Sequence, residues 1–180
     1  MQITRMNRRR QRGVMSALTA VALAALAAVF ATGAASAGDW WKDASGTGIS
    51  VAVPLSITQQ GANTLVILAP NGSFAGTFSG PLVDNPDGKW LIHPDGTSRV
   101  EGTGYTTAVL GDCGAVPGGV QYRYVLFGQT QADGSITFDG FAQALGPQAV
   151  NYQIELSGVI PAGGLANTFT YTGHYRCRDS

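Results

Sequence analysis

The sequence predicts an all-β fold: an antiparallel meander of about eight to nine strands, closed as a β-barrel or folded as a β-sandwich. Three observations carry this expectation. Apolar residues recur with period two along several segments. Asn-Gly and Asp-Gly pairs sit between those segments, where tight hairpin turns need positive φ. No stretch after the first 37 residues holds a sustained helical period.

In chain order, Ile49–Ile57 places Ile49, Val51, Val53, Leu55 and Ile57 at odd positions, with Ser50, Ala52, Pro54 and Ser56 between them. The odd face is expected to be the buried one. Pro54 cannot donate to a ladder, so this strand is expected at an edge or with a bulge. Leu65-Val66-Ile67-Leu68 is continuously apolar and reads as covered on both faces. Phe74, Gly76 and Phe78 share one side of the next segment, and Trp90 and Ile92 mark a short strand. Gly102 and Gly104 interrupt the run from Thr97 to Leu110 and suggest a bulge or bend. Val120–Gln131 and Ser135–Ala144 form another pair. Val150–Ile160 alternates through Val150, Tyr152, Ile154 and Leu156. Thr168–Cys177 alternates through Phe169, Tyr171, Tyr175 and Cys177. Asn71-Gly72, Asp87-Gly88, Asp95-Gly96 and Asp133-Gly134 are the expected turns. Asp95–Gly102 and Asp133–Gly140 share the pattern D-G-[ST]-x-x-apolar-acid-G, which repeated hairpin chemistry explains as readily as a duplication.

The segment Asn71-Gly72-Ser73-Phe74-Ala75-Gly76-Thr77-Phe78-Ser79-Gly80 resembles a hairpin from small secreted barrels of the avidin kind. The binding-site tryptophans that this resemblance implies do not fall into place, and no residue is carried over.

The chain opens with Arg5, Arg8, Arg9, Arg10 and Arg12, continues through an alanine-rich apolar run from Val14 to Ala31, and reaches Ala35-Ser36-Ala37. A basic head, an apolar middle and an A-x-A end predict a cleavable secretory signal over residues 1–37. The retained anchor is the rival reading, but the run is short and weakly hydrophobic for a bilayer span. The alanine-rich style of the leader suggests a bacterial source. Residues 38–180 are expected to be a single secreted, extracellular β domain.

Five of the 11 basic residues lie in the leader and none of the 11 acidic ones does, so Gly38–Ser180 keeps six basic and 11 acidic residues, a net charge of −5. That balance opposes nonspecific nucleic-acid binding and attraction to anionic membranes. No stable membrane insertion is expected after cleavage. Cys113 and Cys177 are the two cysteines, and in an exported chain they are expected to pair as a disulfide.

No catalytic constellation emerges. His93 sits at a turn and His174 on a polar strand face. No G-x-S-x-G elbow is present. Glu101, Glu155 and Asp139 are strand acids that could pair for glycoside hydrolysis, although solvated side chains explain them more simply. Asp84-Asn85-Pro86-Asp87-Gly88 lacks EF-hand spacing and reads as a turn. No metal and no cofactor is expected. Trp40, Trp41 and Trp90 are the candidate ligand-binding residues, because exposed tryptophans stack on sugars or apolar ligands. If the sheet closes, Phe74, Phe78, Phe138, Tyr152, Phe169 and Tyr171 are placed to line an interior. The reading is a non-catalytic domain that binds a small apolar ligand or a glycan. The alternatives are a motif-poor barrel enzyme of the cyclase or isomerase kind, and a structural or protein-interaction component of the cell exterior.

Overall fold

Period-two patterning becomes twelve strands in the computed structural model, which describes residues 41–178. The expected leader and Trp40 lie outside the described residues. The strands are β1 (Lys42–Val51), β2 (Pro54–Gln60), β3 (Asn63–Leu68), β4 (Asn71–Gly76), β5 (Phe78–Asp84) and β6 (Gly88–Ile92). They continue as β7 (Thr97–Thr106), β8 (Val109–Leu110), β9 (Val120–Thr130), β10 (Ile136–Ala144), β11 (Val150–Ile160) and β12 (Ala166–Cys177). One 3-10 turn, Gly111–Cys113, follows β8.

All of the strand ladders are antiparallel. β7, β9, β10, β11, β12, β1, β4 and β5 form a ring of eight, closed by Leu82↔Thr106, Val83↔Tyr105 and Asp84↔Gly104 between β5 and β7. The fold is therefore a barrel and not a sandwich. β2, β3 and β6 carry three of these strands beyond the ring. β2 continues β1, β3 precedes β4, and β6 follows β5 along the same edge of β7. The underlying order is an eight-run up-and-down meander, which closure relieves of most free edges.

The first strand has its faces reversed relative to expectation. Ile49 is 56% exposed, and Val51, Val53, Leu55 and Ile57 are exposed with it. The inward positions of β1 are instead Ala44, Gly46, Gly48 and Ser50, and Ala52 just after the strand is buried as well. The reason is space. A Cβ on Gly48 would strike the Phe169 ring, and one on Gly46 would strike Tyr171 and the Ala75 carbonyl. The barrel is filled from β12 by large rings, so β1 must supply small residues opposite them. Substituting Ile49 by Thr is accordingly expected to change unfolding free energy by no more than about 0.5 kcal/mol. A loss of about 2 kcal/mol in denaturant unfolding would place this face in the core after all.

Other strands face as expected. Val150, Tyr152 and Ile154 are buried on β11, as are Phe169, Tyr171 and Tyr175 on β12. β3 is covered fully on one face only: Val66 and Leu68 are buried, while Leu65 and Ile67 are half-exposed. Pro54 opens β2, the outermost strand, next to a register shift between Pro54 and Ser56. Gly102 and Gly104 make no bulge, because β7 pairs with β9 without interruption from Thr97 to Thr106. Gly96 and Gly134 take positive φ (82° and 81°) in tight turns. In both turns the preceding aspartate accepts hydrogen bonds from a backbone N–H and a hydroxyl two residues on. This shared chemistry accounts for the D-G-[ST] part of the repeated pattern. Asn71-Gly72 is no turn; it lies inside β4.

Candidate functional site

The barrel interior has two unlike halves. One half is solid. Phe78, Leu110, Val120, Val150, Ile154 and Tyr171 are almost completely buried there. Above them the Gly111–Cys113 turn is tied to the end of β12 by the Cys113–Cys177 disulfide, with an S–S distance of 2.08 Å. The Tyr171 hydroxyl accepts from the Phe78 N–H at 2.7 Å and holds the start of β5. Lys42 and Asp112 pair over the same end, and Tyr175 donates to Asp112 at 3.1 Å. The other half is hollow, with a cavity of about 110 Å³.

Phe74, Phe138 and Phe169, with Leu82, Leu126 and Leu156, give this cavity an apolar wall. Its polar side chains are Asp84, Tyr122, Tyr124, Tyr152, Trp90 and Ser98, with Ser50 and Asn167 from β1 and β12. Tyr122 and Tyr124 are adjacent inward positions of β9 and pair with Gly104 and Gly102 of β7. A Cβ on either glycine would come within 2.6 Å of the opposing tyrosine oxygen. The two glycines thus make room for the phenol rings to reach across the sheet towards Asp84, at the end of β5. Tyr122 donates a hydrogen bond to the Asp84 carboxylate. The Tyr124 hydroxyl lies close enough to act on that charge but has no partner at hydrogen-bonding geometry. The Tyr152 hydroxyl and Trp90 Nε1 are also buried without a partner. Such atoms are rare in folded proteins and each carries a desolvation cost.

Burial pushes the Asp84 carboxyl up to about 6, against the opposing pull of the Tyr122 and Tyr124 hydroxyls and with a smaller push from Asp87. The residue as a whole is half-buried, and its carboxyl end is the part packed among the phenols. Burial and the Asp84 charge raise the phenols of Tyr122, Tyr124 and Tyr152, keeping them neutral donors.

A raised carboxyl favours folding below its unfolded value and loses that advantage as the pH rises through about 6. The shift from 3.8 corresponds to about 3 kcal/mol. Asp84→Asn keeps an acceptor for Tyr122 but has no charge to desolvate. The stability difference between variant and wild type is expected to move in favour of the variant by about 3 kcal/mol between about pH 4 and about pH 8. Urea unfolding across that range measures it. A pH-independent difference would mean that Asp84 titrates as an ordinary surface acid.

The sequence-predicted site residues are dispersed. Trp90 is half-buried and lines the cavity. Trp41 is 42% exposed outside the barrel, with the Arg176 guanidinium 4.7 Å from its ring centre. Trp40 is not among the described residues. All six residues proposed to line an interior lie inside the barrel, but Phe78 and Tyr171 belong to the solid half and only Phe74, Phe138, Tyr152 and Phe169 line the cavity. Comparison with protein-family models, with curated proteins and with solved structures finds no match to this chain. The geometry of the barrel therefore carries the functional argument alone.

The remaining candidate groups lie away from the cavity. Asp139 and Glu155 are exposed in a shallow exterior groove beside Phe127, and Glu101 pairs with Arg99 at 2.7 Å in solvent. His93 meets Asn63 at 3.0 Å, and His174 meets Asp43 at 3.1 Å on the outer surface. Asp84 and the two β9 tyrosines are the groups that sequence reasoning missed. The signal was present in Tyr122-Arg123-Tyr124, where two phenols alternate with a charge. It pointed to an inward pair but not to what they meet. In the sequence Asp84 has the look of a turn residue, because Asn-Pro-Asp-Gly follows it.

Proposed function

We propose that this protein is a secreted, non-catalytic barrel that binds a small, largely apolar ligand in its interior. The observation that carries the reading is the cavity with Trp90 Nε1 and the Tyr124 and Tyr152 hydroxyls buried in its surroundings without partners. A ligand polar group would supply what those atoms lack, and the phenylalanine and leucine wall would hold its apolar body. At about 110 Å³ the space is of the order of the ~150 Å³ engineered cavity that accepts benzene, so it suits one ring whose short polar chain reaches the lining beyond it. The charge distribution supports work in water: Arg99, Arg123, Asp139 and Glu155 lie on exterior strand positions, where outer-membrane barrels present an apolar band. Among the described residues, Trp90 lines the cavity and Trp41 stacks with Arg176 outside the barrel, so these two do not share one platform.

Calorimetric titration with 2-phenylethanol tests the reading. Saturable binding is expected in the wild type and is expected to be lost in Ala142→Phe, which fills the cavity from β10. Leu126→Trp fills it from β9 and serves if the first variant fails to fold. Absence of binding by the wild type, or unchanged binding by both filled variants, would sink the interior site.

One observation favours the enzyme alternative. An Asp84 carboxyl that titrates near pH 6 in an apolar chamber, oriented by the neutral Tyr122 hydroxyl, is placed to take up or release a ligand proton. Ligand recovered chemically unchanged after long incubation with the protein supports binding. Conversion at a rate abolished by Asp84→Asn supports catalysis.

A further inference from the structure

We propose that the ligand is a small primary amine with an apolar body, its ammonium paired with Asp84 and its body held among the cavity rings. This rests on the interior binding site proposed above and deepens it. The cavity lining contains one carboxylate and no lysine, arginine or histidine. An amine would therefore meet one negative charge and no competing cation. The Asp84 carboxylate receives a side-chain hydrogen bond from Tyr122, and the Tyr124 hydroxyl lies near it without reaching hydrogen-bonding geometry. A carboxylate has about four acceptor sites, so most of its capacity is unused. Buried carboxylates without a cation are rare, because the charge loses its hydration and gains nothing in return.

An ammonium also has three donors to place. Asp84 accepts one. The Tyr124 and Tyr152 hydroxyls, both unpartnered and both within reach of the Asp84 charge, are neutral oxygens able to accept the others. The groups facing Asp84 from the packed elements are phenols of β9 and β11 and the Asp87 carboxylate of the following turn, with no cation among them. Trp90, Phe74, Phe138 and Phe169 supply ring faces, which attract a desolvated cation and bury the apolar body. A carboxylate ligand would place like charge against Asp84. A neutral alcohol would leave the second Asp84 oxygen without a charged partner. The net charge of −5 on Gly38–Ser180 favours the approach of a cation over an anion.

The test uses three probes of one shape, 2-phenylethylamine, 2-phenylethanol and phenylacetate, titrated into the full barrel by calorimetry at a pH where Asp84 is ionised. The amine is expected to bind ~10-fold or more tightly than the alcohol, as a charge-assisted hydrogen bond does over a neutral one. Phenylacetate is expected to bind weakest. Asp84→Asn is expected to erase the preference for the amine while still binding the alcohol, which also shows that the variant is folded. Tyr124→Phe is a second variant that keeps the charge and is expected to weaken the amine more than the alcohol. Equal binding of amine and alcohol, or an amine preference that survives Asp84→Asn, overturns this inference and leaves the interior site standing. No binding of any probe overturns both.

Discussion

Removing the Cys113–Cys177 disulfide is expected to destabilise the barrel by about 4 kcal/mol. The two cysteines are 64 positions apart, and the loop-closure entropy returned to the unfolded chain on cutting so long a link is of that size. Against a typical total of about 5–15 kcal/mol, the loss is a large share. The bridge joins the Gly111–Cys113 turn to the last residue of β12, so its removal also frees the segment that covers the solid half. Leu110, fully buried beneath that turn, would be the first core residue exposed. Guanidinium unfolding of the Cys113→Ser/Cys177→Ser variant measures the effect. A change below about 1 kcal/mol would show that contacts other than the bridge hold the turn in place.

Phe78→Ala is expected to cost about 4 kcal/mol, within the range for truncating a buried phenylalanine. Phe78 is 0% exposed and touches four other rings. It stacks on Tyr171 at 5.4 Å with an interplanar angle of 12°, and meets Phe74 edge-on at 5.7 Å. Its neighbours belong to β4, β11 and β12, which are held by their own ladders and cannot collapse into the gap. The cavity term therefore adds to the lost burial. The Tyr171 hydroxyl bond goes to the backbone of residue 78 and survives the substitution. Phe78 does not line the ligand cavity, so binding of 2-phenylethanol is expected to persist in the variant while its unfolding midpoint falls. A cost near that of Ile49→Thr would show the solid half to be loosely packed.

These two effects and the small one expected at Ile49 map where the sequence is legible. On β11 and β12, large apolar residues alternate with Thr, Gln, Asn and His, and the larger set faces inward. There, residue size and polarity agree. On β1 they disagree. From Ala44 to Val51 neither set carries a charge, and hydrophobicity alone selects Ile49 and Val51 over Gly48 and Ser50. The selection fails because the volume opposite is already occupied by Phe169 and Tyr171. Packing density leaves no alternative: a close-packed interior cannot accept a second large residue across from each ring. The glycines of β7 follow the same rule. Gly102 and Gly104 looked like a broken strand, yet they are the space into which Tyr124 and Tyr122 extend.

The site was less legible than the fold. Four of the cavity residues, Phe74, Phe138, Tyr152 and Phe169, stood out as inward aromatics, and Trp90 stood out as a lone tryptophan. The polar centre did not. Asp84 and Tyr122 are separated by 38 positions and meet only because β5 closes on β7 while β9 pairs with its other edge. No local spacing encodes that meeting.

By itself the sequence determined an all-β meander, the residues of its main strands, the likeness of its aspartate turns, and the pairing partners available to its two cysteines. Period-two alternation and turn chemistry are local properties, readable over a few residues. The tertiary structure alone decided that the sheet closes as a barrel, which face of β1 turns inward, and that one half stays hollow around Asp84. Those outcomes depend on how side-chain volumes from distant strands share one enclosed space. A carboxylate read as part of a turn thus became the polar centre of an apolar chamber.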